Sequence, residues 1–261
     1  MRRVLFTVLA LAGLATPSVA DVTLTQSVSG KALGINGNAT TTTYIKGARL
    51  RTEMVTGNTT RITIFDLDAQ KMYAFDSKKK EADVYSLGQL QADMAKAVDV
   101  TAMTATFEVN GQTRDFAGRS ATGYDMQMSV PTALGGGDMK MTLVMTGPVW
   151  IVKGAPGSAD WAGFYAQAAD KGFIVGDPRA AKASPGQSKA MTELYRKMAA
   201  VGGIPYQMEM TMKSEGSGPL AGLMAKMGGG SMTTTTTDVT AGPLADDLFA
   251  PPAGYRLRER K

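Results

Sequence analysis

The chain has 261 residues, a formal net charge of +5, 18 methionines, and neither cysteine nor histidine. The two missing residue types exclude disulfides, thiol nucleophiles, Ser-His-Asp triads and nearly all zinc sites, so the composition disfavours an enzyme. The basic residues form no stripe of the kind that binds nucleic acid. We therefore expect no catalytic centre, no cofactor and no nucleic-acid partner.

The N-terminus has the three parts of a secretory signal peptide. Two arginines precede the apolar run Val4 to Leu14, and small residues stand three and one positions before Asp21. Removal of residues 1–20 lowers the formal net charge from +5 to +3. No later stretch is apolar for long enough to span a bilayer. We expect a periplasmic or secreted protein with a single domain over residues 21–261.

After the signal peptide, short segments rich in Val, Ile, Thr, Tyr and Phe alternate with Gly, Asn, Asp and Ser, which is typical of a meandering antiparallel sheet. The sequence predicts six strands before any helix. They lie near Val22–Ser29, Thr40–Ile45, Ala48–Thr56, Thr60–Leu67, Lys71–Phe75 and Ala82–Tyr85. Asp66, Asp68 and Asp76 fall between these strands, where aspartate favours turns, so we interpret them as turn residues and not as a metal or acid–base site.

The second half alternates helices with strands. The predicted helices are Leu87–Val98, Ala159–Asp170 and Gly186–Val201, each with apolar residues at helical spacing. The predicted strands are Met103–Val109, Gly118–Val130, Met139–Lys153, Pro205–Lys213 and Ser231–Thr240. We expect the second helix to be capped near Ser158 and Asp160 and to stop at Gly172.

Three polar segments are predicted at the surface. The threonine runs Thr40–Thr43 and Thr233–Thr237 are typical of edge or solvent-facing strands. The C-terminal tail carries Arg256, Arg258 and Arg260. It would either be solvated or make transient contact with an anionic membrane surface.

Methionines recur at every second residue in three predicted strands, so each set lies on one face of the sheet. The unbranched thioether chain repacks easily around variable apolar guests, which favours a cavity for a hydrophobic ligand. The residues that we expect to line it are Met126, Met128, Met141, Leu143, Met145, Trp150, Met208 and Met210.

Residues 215–230 form a separate glycine-flanked segment. Leu220, Leu223, Met224 and Met227 fall at i, i+3, i+4 and i+7, on one stripe of a two-turn helix. The flanking glycines permit hinge motion, so this helix is either a lid that contributes these four residues to ligand binding or a static plug at the end of the barrel.

Two alternatives to a ligand cavity stay open. The methionine faces could close on the helices as an ordinary filled core, because most apolar faces are core. The spacing Met126-x-Met128, Met139-x-Met141 and Met208-x-Met210 also suits Cu(I), which prefers soft thioethers, although no histidine or cysteine could strengthen such a site. An acyl tail of about fifteen buried methylenes would gain on the order of 12 kcal/mol before association costs, so a lipid or lipidated protein is a plausible partner.

Six segments occur in the order found in an exported bacterial family of uncharacterised function that is lipoprotein-carrier-like. They are YIKGARLRTEMV, TIFDLDAQKMYAFDSKKKEADVY, FAGRSATGYDMQMSV, VWIVKG, GGIPYQMEM and LFAPPAGYRL. The resemblance implies an α+β, mainly β fold like that of the carriers LolA and LolB, in which a curved antiparallel sheet forms an incomplete barrel around a few helices. It carries over no catalytic residue. Arg51 matches the family's basic strand residue, which faces the cavity mouth or only decorates the sheet.

Overall fold

The computed structural model describes residues 21–32, 35–97, 102–134, 139–173, 176–183, 185–216 and 229–260. The predicted signal peptide lies outside these ranges. The strands are β1 (Val22–Ala32), β2 (Ile35–Lys46), β3 (Arg49–Thr56), β4 (Thr59–Asp66), β5 (Lys71–Asp76), β6 (Glu81–Ser86), β7 (Thr104–Phe116), β8 (Arg119–Leu134), β9 (Met139–Val152), β10 (Ile204–Gly216), β11 (Gly230–Ala241) and β12 (Arg256–Arg260). The helices are α1 (Leu87–Ala97), α2 (Ser158–Asp170), α3 (Pro178–Ala183) and α4 (Pro185–Val201), and a short 3-10 helix covers Asp246–Phe249.

These strands form one sheet in the order β12-β6-β5-β4-β3-β2-β1-β11-β10-β9-β8-β7. Every neighbouring pair is antiparallel except β12 and β6, which are parallel. Because β12 and β7 are not paired with each other in this order, the sheet is open. The result is a mainly β, α+β fold with an unclosed sheet, as predicted.

Alternate residues of each strand point to opposite faces of the sheet. We call the face beneath the helices the inner face; it carries Val22, Leu50 and Phe65, which belong to the main hydrophobic core. The outer face carries a smaller core of Ile64, Phe75 and Ala82, and Tyr255 packs on it from the C-terminal segment. The chain therefore buries apolar side chains on both sides of the β4–β6 region.

The helices cover the inner face unevenly. Helix α2 packs on β1, β2 and β10, whereas α4 packs on α2 and on β7 and β8. The rings of Tyr165 in α2 and Tyr195 in α4 stack with their centroids 4.5 Å apart, which holds the two helices together. No helix in the described part of the chain is both long and apolar enough to cross a membrane.

Helix α2 stops as predicted but does not start as predicted. Gly172 adopts a left-handed φ of 72°, and the N–H groups of Gly172 and Phe173 donate to carbonyls of the last helical turn. At the other end the N-cap is Gly157, and no side chain caps the helix there. Ser158 is instead the first helical residue, so the expected cap at Ser158 and Asp160 is wrong.

The aspartates in the first half are turn residues, as predicted. Asp66 Oδ1 accepts hydrogen bonds from the backbone N–H groups of Asp68 and Ala69, at 3.1 and 2.8 Å. Asp76 Oδ1 accepts in the same way from the next two lysines, at 3.1 Å each. These carboxylates therefore stabilise the β4–β5 and β5–β6 turns.

The basic tail is an edge strand of the sheet and not a free chain end, although most of its residues are exposed to solvent, as expected. Strand β12 runs parallel to β6, where Arg256 and Arg258 bind Glu81 and where Arg258 and Arg260 bind Asp83. The sequence pattern does not predict this strand, because its charged residues lack a strand-like hydrophobic alternation. Their partners lie about 175 residues earlier in the chain.

Candidate ligand-binding cleft

A cleft lies on the inner face of β1–β4. Three rows of side chains cross the strands here in direct register. The apolar row is Ile45, Leu50 and Phe65; the threonine row is Thr43, Thr52 and Thr63; the mouth row is Thr41, Met54 and Arg61. Exposure rises in that order, from at most 5% in the apolar row to an exposed Arg61. The floor of the cleft therefore changes from apolar to polar along the strands.

Aromatic side chains from the helices form the roof. Trp161, Phe164 and Tyr165 of α2 and Tyr195 of α4 all line the cleft. Phe173, just after α2, packs on Phe65 with the ring centroids 6.4 Å apart. The cleft encloses a volume of about 190 Å³. An empty space between an aromatic roof and a partly apolar floor suits an apolar chain.

The polar end of the cleft adjoins a second, wider groove. Arg61 and Asp177 line both, and the groove has a volume of about 480 Å³. Its other walls come from the β3–β4 turn, the β5–β6 turn and Arg179 at the start of α3. Asp177 and Arg179 form a two-pronged ion pair, with N–O distances of 2.6 and 2.9 Å.

Two tyrosines and one arginine at the cleft and its adjoining groove have raised pKa values. Burial raises the pKa of the Tyr165 phenol well above its usual value, and it also raises the pKa of Tyr195, so both rings stay neutral. The hydrogen bond from Arg179 to Asp177 raises the pKa of that guanidinium, so it stays charged. Among the described lining residues, only Arg61 and Asp177 bring charge to the cleft itself.

The methionines predicted to line a cavity lie together on the inner face, beneath α4. Met128 is opposite Met145 on the neighbouring strand, and both are at most 1% exposed. Met126, Leu143, Met208 and Met210 belong to the same buried core as Leu194 and Met198 of α4. Met208 also borders a void of about 10 Å³, but none of these six residues lines the cleft. The side chain of Met141 and all of Leu220, Leu223, Met224 and Met227 lie outside the described part of the chain.

Trp150 lies on the opposite face from these methionines. It is paired with Gly123, whereas the inner-face residue Val149 is paired with Tyr124. The Arg114 guanidinium covers the Trp150 ring at 3.9 Å on the outer side and donates to Gln207 at 2.7 Å. The expectation that Trp150 shares the cleft with Leu143 and Met145 is wrong. Side chains alternate between the two faces of a strand. Trp150 is an odd number of residues from Leu143 and Met145, so the sequence alone already places it on the opposite face.

The threonine runs are central in the sheet and not at its edge. Strands β2 and β11 flank β1 in the middle of the order. Thr43 is 5% exposed, and Thr234 and Thr236 are at most 9% exposed. Thr41 and Thr43 therefore line the cleft and do not face solvent as predicted. Thr41, Thr43 and Ile45 are every second residue of one strand. Alternation alone could therefore have placed the two threonines on the same face as the buried Ile45.

Arg51 is on the outer face, away from the cleft. It is paired with Tyr44 and with Ile64 of the outer core. Its guanidinium donates to Glu53 Oε1 at 2.7 Å and to the Leu248 carbonyl at 3.0 Å. Arg51 therefore fastens the C-terminal segment to the sheet, and it does not face the cavity mouth.

Comparison with known proteins gives weak structural similarity only. No family model matches the chain, and no curated protein matches it. Two structures of PNGF-II align with TM-scores of 0.36 and 0.33 at 12% and 10% identity. Each alignment covers 92% of this chain. The chain spans only about a third of the length of PNGF-II. A domain named as an outer membrane lipoprotein-sorting protein domain from Vibrio parahaemolyticus aligns with a TM-score of 0.28 at 10% identity, over 89% of this chain and 90% of that one.

Proposed function

We propose that the protein is a non-enzymatic binding or carrier protein for an apolar chain, such as the acyl chain of a lipid or lipoprotein, in the periplasm or after secretion. The observation that carries the proposal is the cleft between the inner face of β1–β4 and α2. Its roof is aromatic and its floor begins with Leu50 and Phe65. The proposed site differs from the sequence-based expectation, because the methionines of β8 to β10 belong to the same buried core as Leu194 and Met198 of α4.

The size of the cleft sets how much ligand it holds. At roughly 30 Å³ per water-sized group, a volume of about 190 Å³ accepts about six methylenes. Their burial contributes on the order of 5 kcal/mol at about 0.8 kcal/mol each, before association costs. This volume is below the roughly 300–1,000 Å³ of sites for drug-sized ligands. The cleft therefore fits part of one narrow chain better than a bulky ring system.

The chemistry of the lining favours binding over catalysis. A general acid or base needs a group that changes protonation near the working pH. The ionisable groups among the described lining residues are one arginine, one aspartate and two tyrosines of raised pKa. Sequestration of apolar area from water needs none of these to titrate.

A substitution that fills the cleft tests the proposal. Thr52 lines the cleft and Thr42 lies on the outer face of the adjacent strand, so Thr52→Phe and Thr42→Phe add the same ring to opposite faces. We expect Thr52→Phe to exclude about three methylenes and to weaken binding of a fluorescent fatty acid roughly fiftyfold. Thr42→Phe should bind like the wild type.

Native mass spectrometry of the gently purified wild-type protein provides the second measurement. A co-purifying lipid that is lost in Thr52→Phe would support the proposal. A clean apo mass, with no uptake of the fluorescent fatty acid by the wild type, would overturn it. Equal binding by both threonine variants would place the ligand elsewhere in the molecule.

A further inference from the structure

The cleft and the polar groove are joined at a charged boundary. Arg61 and Asp177 line both spaces. A ligand whose chain runs along the strand direction, from the apolar row over the threonine row, therefore has its other end at the mouth row, beside Arg61. The nature of the groove then decides which end group the ligand carries.

The unpaired charges at this boundary are positive. Among the described residues, no carboxylate lies within 4.0 Å of the Arg61 guanidinium or the Lys78 ammonium. The two acids that line the groove already have partners. Asp177 is held by Arg179, and Asp76 accepts from two backbone N–H groups and lies 3.8 Å from the Lys79 ammonium.

Because both acids of the groove are already paired, Arg61 and Lys78 have no carboxylate partner and can bind an anionic group of a ligand. The groove is lined by three cations, Arg61, Lys78 and Arg179, and by two carboxylates, so its lining has a net positive charge. The hydrogen bond from the Lys79 backbone lowers the pKa of Asp76, which keeps that acid ionised and unable to donate a proton to an anionic guest. Asn58, Thr59 and Ser77 add neutral hydrogen-bonding groups around the same space.

We propose that the ligand is a single-chain amphiphile with an anionic head group, whose chain occupies the cleft and whose head binds Arg61 at the groove. This inference depends on the proposed function, because it names the ligand class of the same site. The planar guanidinium of Arg61 can donate two parallel hydrogen bonds to a carboxylate or a phosphate, whereas Lys78 supplies a point charge.

Amphiphiles with the same chain and different heads test this inference. Decanoate, decyl phosphate and decanol share a ten-carbon chain, and their affinities can be compared by displacement of a neutral fluorescent probe. We expect the wild type to bind both anions at least about tenfold more tightly than decanol, and this preference to shrink at high salt. The ratio of the affinities for decanoate and decyl phosphate shows whether a carboxylate or a phosphate is the better head group.

Variants of Arg61 test whether this residue causes the preference for anions over decanol. Arg61→Gln should remove the preference for anions, so that decanoate and decyl phosphate bind no more tightly than decanol. Arg61→Lys should keep part of it through its charge. Arg119 is exposed at the first position of β8, so Arg119→Gln removes the same charge elsewhere and should have no effect.

The outcomes separate this inference from the proposed function. Equal binding of decanol and the anions by the wild type would overturn the anionic head group and leave the acyl-chain site standing. An equal loss of all three ligands in Arg61→Gln would show that Arg61 only supports the fold of the mouth. Failure of the wild type to bind any of them would overturn both proposals.

Discussion

At the residue scale, glycines allow close backbone contacts that a side chain would prevent. Gly147 in β9 has a φ of 149°, and a Cβ atom built there would lie 1.9 Å from the Glu209 carbonyl oxygen. This distance is shorter than any van der Waals contact, and the obstacle is backbone of β10. Gly163, in the middle of α2, has an ordinary helical φ and open space around it.

The same substitution at these two glycines should have opposite effects. Gly147→Ala must displace β10 from β9, and we expect it to lower the free energy of unfolding by about 3 kcal/mol or more. Gly163→Ala should raise it by roughly 0.5–1 kcal/mol, because alanine favours the helix. Chemical denaturation measures both. A small effect at Gly147 would contradict the close strand contact.

At the element scale, ionised acids hold the edge strand β12. Hydrogen bonding from the Arg256 side chain lowers the pKa of Glu81 below its ordinary 4.5. A carboxyl group with a lowered folded-state pKa stabilises the fold above its unfolded pKa, and that contribution is lost as the pH falls through the lowered value. The attachment of β12 to β6 should therefore weaken in acid.

Hydrogen exchange tests this pH dependence. After correction for intrinsic rates, we expect the β12 amides to lose protection as the pH falls from 7 through the lowered pKa of Glu81, since protonated Glu81 no longer binds the arginines. Amides in the middle of β10 should keep their protection. Glu81→Gln should lower the protection of the β12 amides at pH 7. Unchanged protection in that variant would show that backbone pairing alone holds the strand.

Secondary structure was largely predictable because its signal is local. The alternation of Ile62 and Ile64 predicts β4, and the helical spacing of Leu194 and Met198 predicts α4. The missed strand β12 has charged residues and depends on Glu81 and Asp83, far away in the chain. Local pattern thus predicts an element that buries its own apolar residues, and it misses one that is held by distant charges.

At the scale of the whole molecule, the inner face has a filled half and a hollow half. Helix α4 packs on the methionine strands at the β7–β8 end, whereas α2 leaves a cleft over β1–β4. The methionine pattern indicated correctly which residues share a face. It could not indicate which part of that face a helix would fill, because this depends on how α2 and α4 lie across the completed sheet.

A substitution in the filled half should affect stability and leave ligand affinity unchanged. Met128 is 1% exposed and belongs to the core beneath α4. We expect Met128→Ala to lower the free energy of unfolding by about 2–5 kcal/mol and to bind the fluorescent fatty acid like the wild type at a temperature where it is folded. Weaker binding by the folded variant would instead support the sequence-based prediction that methionines line the site.

The order of synthesis determines when the cleft is complete, because its roof and Pro205 come after the β1–β4 floor in the chain. Gln26 and Thr236 meet across the β1–β11 pair at a separation of 210 residues, whereas the β1–β6 meander needs only neighbouring hairpins. Contacts between distant parts of a chain form late in folding. The roof helices also follow the meander in order of synthesis, so a nascent chain lacks a complete binding site, and only the nearly finished protein can capture a hydrophobic guest.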